Sequence, residues 1–245
     1  VLAFVHAETS TGVLSDAREL AEIARRHGAL TVVDAVTSLG GVPLEVDAWG
    51  LDAVYSGSQK CLSSPPGLSP VTVSPRALDA VRRRRTPVQS WFLDFSSLVD
   101  YWSGSKRAYH HTAPVNSIYG LHESLTMLQE EGLETAWARH RESHEALAAG
   151  LRELGLELLV DRAHRLPQLN VVPVPADIDD AALRTALLRD HRIEIGGGLG
   201  ELAGKVWRIG LMGYGARTES AKLIVDALAT VLAEQRGNRP SVSNG

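Results

Sequence analysis

The sequence predicts an α/β fold, and three observations carry that expectation. Short apolar runs alternate with amphipathic stretches of helical period, as in βαβ units. Several of those runs are apolar throughout, as parallel strands covered on both faces are. Two of them end on chemistry: Leu30–Val33 runs into Asp34, and Ala53–Tyr55 runs into Ser56-Gly57-Ser58-Gln59-Lys60. An open sheet of this kind binds ligands outside the carboxyl ends of its strands.

The elements follow in order. Leu2–Val5 is a strand, and a helix is expected from Ser15, as N-cap, to His27, with Leu20, Ile23 and Ala24 on its apolar face. Gly28 closes it as a C′ residue. Strands Leu30–Val33, Ala53–Tyr55 and Pro70–Val73 come next, with Pro65-Pro66-Gly67 marking a loop. The basic run Arg82 to Arg85 ends a helix, where cations are favourable. Beyond residue 130 the composition shifts. A long helix, Leu133 to Leu154, precedes strands near Leu156–Val160 and Gln168–Val174, the second ended by Pro173 and Pro175. A helix over Asp179–Arg189, strands Ile193–Ile195 and Val206–Leu211, and a final helix Thr218–Glu234 complete a smaller α+β unit. The expected division is 1–131, 132–236 and a frayed tail, 237–245.

Composition excludes several classes. The chain has 245 residues, 44% hydrophobic and 22% charged, which suits a packed core rather than disorder. A net charge of −4 gives no electrostatic case for nucleic acid. Cys61 is the single cysteine, so no intrachain disulfide forms. No apolar stretch approaches the ~20 residues of a membrane span. The terminal Ser-Asn-Gly is not a peroxisomal signal, and a cytoplasmic protein is expected. The chain opens inside an apolar run, Val1 to Val5, with no Met, and is expected to be part of a longer protein.

Lys60 and Asp34 are the candidate chemical pair. A lysine with small and apolar neighbours is suited to imine formation. An acid behind several apolar residues needs a partner. A Lys that forms a Schiff base and an Asp that holds a pyridinium nitrogen together fit pyridoxal 5′-phosphate (PLP). The plain alternatives are a loop lysine and a turn or cap aspartate. Val36 is placed to lie against a ring face. His110-His111 lacks further ligands at metal spacing, so no metal site is expected. Gly196-Gly197-Gly198-Leu199-Gly200 lacks the lysine of a phosphate loop and reads as a flexible loop near the substrate mouth. Cys61 reads as a small packed residue rather than a nucleophile.

Asp34-Ala35-Val36-Thr37-Ser38-Leu39-Gly40-Gly41, followed by Ser56-Gly57-Ser58-Gln59-Lys60, resembles the class V aminotransferases of PLP fold type I. The nearest likeness is to the alanine–glyoxylate (serine–pyruvate) aminotransferase family. His6-Ala7-Glu8-Thr9-Ser10-Thr11-Gly12, Tyr109-His110-His111-Thr112-Ala113-Pro114 and Lys205-Val206-Trp207-Arg208-Ile209-Gly210 extend the resemblance over almost the whole chain. It implies the later half of a large, mostly parallel-sheet domain plus a smaller α+β domain. It implies that Lys60 carries the cofactor and shuttles a proton, and that Asp34 pairs with the ring nitrogen. Thr9, in place of a frequent Ser, would contact the cofactor near its 3′ oxygen, and Gln59 would bind its phosphate. Tyr109 and Thr112 would reach the phosphate of a neighbouring subunit's cofactor, making the site the property of a homodimer. Arg208 would clamp a substrate carboxylate. Cysteine desulfurases place His before the lysine and need a later Cys; here Gln59 precedes Lys60 and no Cys follows residue 61. Transamination from alanine or serine to glyoxylate or pyruvate is therefore expected. Relatives acting on 2-aminoethylphosphonate or pyridoxamine, and a catalytically incompetent fragment, are the alternatives.

Overall fold

A computed structural model of the chain describes residues 1–103 and 109–237. Beyond Gly237 the expected frayed tail lies outside the described residues. Two sheets organise the molecule. The first has order β1-β2-β3-β4: β1 (Leu2–Val5), β2 (Thr31–Asp34) and β3 (Ala53–Tyr55) are parallel, and β4 (Val71–Val73) is antiparallel to β3. Helix α1 (Ala17–Arg26) and the single turn α2 (Val46–Trp49) make the crossovers. The β3–β4 connection contains no helix, which is why β4 returns antiparallel. The N-cap of α1 is Asp16, whose carboxylate accepts from Glu19 N at 2.9 Å, one residue later than expected. Ser15 instead donates its N–H to His6 O.

Register brings Val5, Asp34 and Tyr55 level at the carboxyl edge. The opposite edge is tied by the buried Asp52. Its carboxylate accepts from Thr31 N at 2.9 Å and Ser74 Oγ at 3.0 Å, and its own N–H donates to Thr31 Oγ1 at 2.7 Å. Polar groups buried there are thus paired, which keeps the strand starts in line.

Helices α3 (Pro75–Arg82), α4 (Phe95–Ser103) and α5 (Val115–Glu131) lead to α6 (Leu133–Glu153), which begins after Gly132 at φ +84°. The second sheet has order β5-β7-β6 and is antiparallel: β5 (Leu169–Pro173), β6 (Gly196–Gly197) and β7 (Val206–Gly210). Helices α6, α7 (Asp180–His191) and α8 (Thr218–Gly237) enclose its core. Trp207, Leu147, Leu151, Leu183, Leu187 and Leu228 are fully buried there. Each such side chain contributes about 1.5–3 kcal/mol by burial. Trp207 Nε1 donates to Asp180 Oδ1 at 3.0 Å, so the buried ring loses no hydrogen bond.

Two expected strands are corrected. Leu156–Val160 is irregular; Leu159 N donates to Val171 O, but no ladder forms. Ile193–Ile195 is not a strand either. Arg192, at φ +59°, ends α7 in a left-handed turn, and the next residues return the chain to the sheet, so pairing begins only at Gly196. The glycines expected as a flexible loop include that short edge strand. Among the described residues, no helix is long and apolar enough to cross a membrane.

Candidate active site

The carboxyl ends of β1, β2 and β3 gather the polar residues. Asp34, the last residue of β2, accepts from Val36 N through Oδ1 and from Tyr55 O–H through Oδ2, both at 2.9 Å. Val36 is half-buried in the tight turn that follows, where Ser38 N and Leu39 N both donate to Ala35 O. Asp34 is itself half-buried, and its carboxylate keeps acceptor capacity beyond these two bonds.

Lys60 sits in a loop built by serines. Ser56 Oγ donates to Ala35 O at 3.0 Å, Ser58 Oγ to Pro65 O at 2.6 Å, and Ser63 N to Lys60 O at 3.0 Å. Lys60 is half-buried, and among the described residues its amine makes no hydrogen bond or ion pair. Gln59 is exposed and folds over Gly57, where a Cβ would stand 2.7 Å from Gln59 Oε1. Cys61 points the other way: it is buried, donates to Thr37 O at 3.6 Å, and burial pushes its thiol up to about 12. It is a packing residue, not a thiolate nucleophile.

The loop after β1 brings Thr9 alongside. Ser10 N and Oγ both donate to Glu8 Oε1, holding that carboxyl below its usual range and fixing the turn. Gly12, at φ +78°, admits no side chain, since a Cβ would lie 2.7 Å from Leu169 O. Thr9 Oγ1 is 2.9 Å from Thr37 Oγ1. Arg208, from the second sheet, reaches the same loop: Nη1 donates to Thr9 O at 3.2 Å and Nε to Gly197 O at 2.7 Å. Its remaining N–H groups stay available for a planar carboxylate.

The fold thus brings Thr9, Asp34 and Val36 together with Arg208 and sets the Lys60 loop against β2. Tyr109 and Thr112 stand apart. They bond each other at 2.6 Å, Tyr109 is exposed, and among the described residues no hydrogen bond joins either to Thr9, Asp34, Gln59 or Lys60. The neighbouring His110 is buried, stacked on Trp91 at 4.1 Å, and among the described residues no cluster suits a metal ion.

Sequence reasoning missed three groups. Tyr55 was seen as a strand residue, yet its hydroxyl holds Asp34; its place opposite Asp34 in the register was the available signal. Thr37 lies within a quoted motif, but only the fold pairs it with Thr9. The third group buttresses the Lys60 loop: Tyr214 N donates to Ser63 Oγ at 2.8 Å, Gly213 N to His140 Nε2 at 2.9 Å, and Arg139 Nη1 to Gly213 O at 2.7 Å. A cavity of about 620 Å³ lies behind this buttress, lined by Ser63, Met127, Glu131, Arg139, Tyr214 and Arg217. It contains none of Thr9, Asp34, Lys60 or Arg208, so converging chemistry rather than concavity marks the site.

These residues fit PLP. Asp34 has spare acceptor capacity for a protonated ring nitrogen, Lys60 has an uncommitted amine, and Arg208 has uncommitted donors for a carboxylate.

The profile of the family described as "Aminotransferase class-V" matches residues 1–219. The chain is 44% identical over 235 residues to the alanine–glyoxylate aminotransferase of Rattus norvegicus, covering 95% of this chain and 57% of the relative. The crystal structure of an alanine–glyoxylate aminotransferase from Nostoc sp. superposes with a TM-score of 0.91 at 51% identity, covering 94% of this chain and 61% of the other. The ureidoglycine–glyoxylate aminotransferase of Bacillus subtilis does so with a TM-score of 0.92 at 41% identity, covering 98% and 62%. The chain therefore spans about three fifths of the length of these relatives. Their shared architecture, the strand-end placement of Asp34 and the profile match agree on one assignment: this chain belongs to the class V aminotransferases.

Proposed function

We propose that the chain takes part in PLP-dependent transfer of an amino group from a small amino acid, alanine or serine, to a 2-oxo acid, glyoxylate or pyruvate. The observation that carries this reading is Arg208, brought from the second sheet onto the Thr9 loop beside the Asp34 strand end. Bound PLP supplies an electron sink for the substrate's Cα electrons. In this reading Lys60 Nζ holds the cofactor and moves the proton, while Asp34 accepts the ring N–H and is oriented by Tyr55 and Val36 N. Val36 lies against the ring, Gln59 holds the phosphate, and Arg208 seats the substrate carboxylate. Tyr109 and Thr112, exposed and uncommitted to this site, serve the partner site of a homodimer. Residues 1–131 form the cofactor domain and 132–236 the small domain, and the setting is cytoplasmic.

The test is incubation with PLP, alanine or serine, and glyoxylate. Glycine with pyruvate, or glycine with hydroxypyruvate, is the expected product pair; no product from either donor overturns the reaction. Borohydride reduction with peptide mapping should place PLP on Lys60, and Lys60→Ala should abolish it. A second reading is that this chain alone binds PLP without turnover. The coverage of its relatives and the outer edge of β1, unpaired among the described residues, favour it. Trapping at Lys60 without product would select that reading.

A further inference from the structure

We propose that Thr37 is a positioning residue that makes the Thr9 hydroxyl a directed hydrogen-bond donor toward an oxyanion in the site. The inference rests on the reading of Thr9 as a contact of the cofactor's 3′ oxygen. Thr37 is only 1% exposed, and its Oγ1 lies 2.9 Å from Thr9 Oγ1. Among the described residues that hydroxyl makes no other hydrogen bond. A buried O–H without an acceptor is costly, so Thr37 donates and Thr9 Oγ1 accepts. The Thr9 proton is then turned away from Thr37 and left to an acceptor outside the pair.

Both residues are held at the backbone. The Thr37 carbonyl accepts from Gln168 Nε2 at 3.0 Å and from Cys61 Sγ at 3.6 Å, and Gln168 is fully buried. The Thr9 carbonyl is held by Arg208 Nη1. A free threonine hydroxyl donates or accepts with equal ease. Thr9, with one lone pair committed to Thr37, keeps its O–H proton free for an acceptor in the site. A donor stabilises an anionic oxygen and lowers its affinity for a proton. The acceptor class it fits is the phenolate-type oxygen of a pyridinol ring.

The pH dependence of the visible absorbance of the PLP-loaded full chain tests this. Thr37→Val keeps the shape and removes the donor, and should move the pH midpoint of that band upward by roughly half to one unit. Thr37→Ser should keep the original midpoint. Thr9→Val should shift it as far as Thr37→Val, and the double variant no further, because the two hydroxyls act as one unit. Thr37→Ala, which cannot overpack the site, gives the same comparison if Thr37→Val does not fold. An unshifted midpoint in Thr37→Val or Thr37→Ala, with a shift in Thr9→Val, overturns the proposal alone, as does full additivity. No visible band from the unsubstituted chain overturns the cofactor reading, and this inference with it.

Discussion

His6 sets an acid limit on stability. It is 3% exposed, its backbone N–H donates to Asp34 O at 2.9 Å, and its ring meets Trp49 edge-on at 6.2 Å. Its buried Nδ1 has no hydrogen-bond partner among the described residues. Burial lowers its pKa from 6.5 to about 4, against a weaker opposing pull from Asp16. In the folded chain His6 therefore stays neutral at pH values where the unfolded chain binds a proton. Stability is complete above about pH 6.5 and falls by ~1.4 kcal/mol per unit below it, until the folded form also protonates near 4. The total is about 3 kcal/mol, and about 2 kcal/mol of it is lost by pH 5. His140 and His144, also lowered by burial, act in the same direction. Glu8, Glu131 and Asp180, whose pKa values are depressed, lose their contribution only at lower pH, so the window from 6.5 to 5 belongs to histidines. Urea unfolding followed by tryptophan fluorescence at pH 7.5, 6.5 and 5 reads the effect. His6→Phe should lose about 2 kcal/mol less between pH 6.5 and 5 than the unsubstituted chain. Equal losses in the two proteins would refute the assignment to His6.

Arg208→Lys keeps the charge but gives up the fork and its bonds to Thr9 and Gly197. KM for a carboxylate substrate should rise about 10- to 100-fold with a smaller change in kcat, as expected for one or two lost charge-assisted bonds; steady-state kinetics checks it. Gly41→Ala forces a Cβ to within 2.6 Å of Gln168 Nε2 and 2.8 Å of Cys61 Sγ. It should destabilise by about 1–3 kcal/mol, read as a lower thermal midpoint, because both neighbours are buried and cannot retreat.

Much of the fold was legible because local signals and burial agreed. β1 and β3 were bounded correctly, since each run is short, apolar and closed by small or polar residues. The long helix α6 was found because Leu147 and Leu151 recur on one face and do enter the core. Helix α5 was not recognised. None of its side chains is buried, so no apolar stripe marks it against a core. The strand misplaced at Ile193–Ile195 has a related cause. Ile195 is buried, but in the helix-enclosed core rather than through sheet pairing. The edge strand is two glycines, a composition that carries no strand propensity.

The sequence by itself singled out the candidate residues: an acid and a lysine after successive strand runs, and an arginine inside a strand motif. Chain connectivity and the two-residue period of strands are local properties, and they suffice to place Asp34 and Lys60 on one edge of a sheet. Tertiary structure alone decided that Arg208 and Thr9, 199 residues apart in the chain, share a hydrogen bond, and that the hydroxyls of Thr9 and Thr37 meet. The first contact depends on how the two sheets meet, the second on how the turns after β1 and β2 meet within the first sheet. Hydroxyls at such a meeting leave no periodic trace in the sequence, because their roles follow from which acceptors remain once the surroundings are buried.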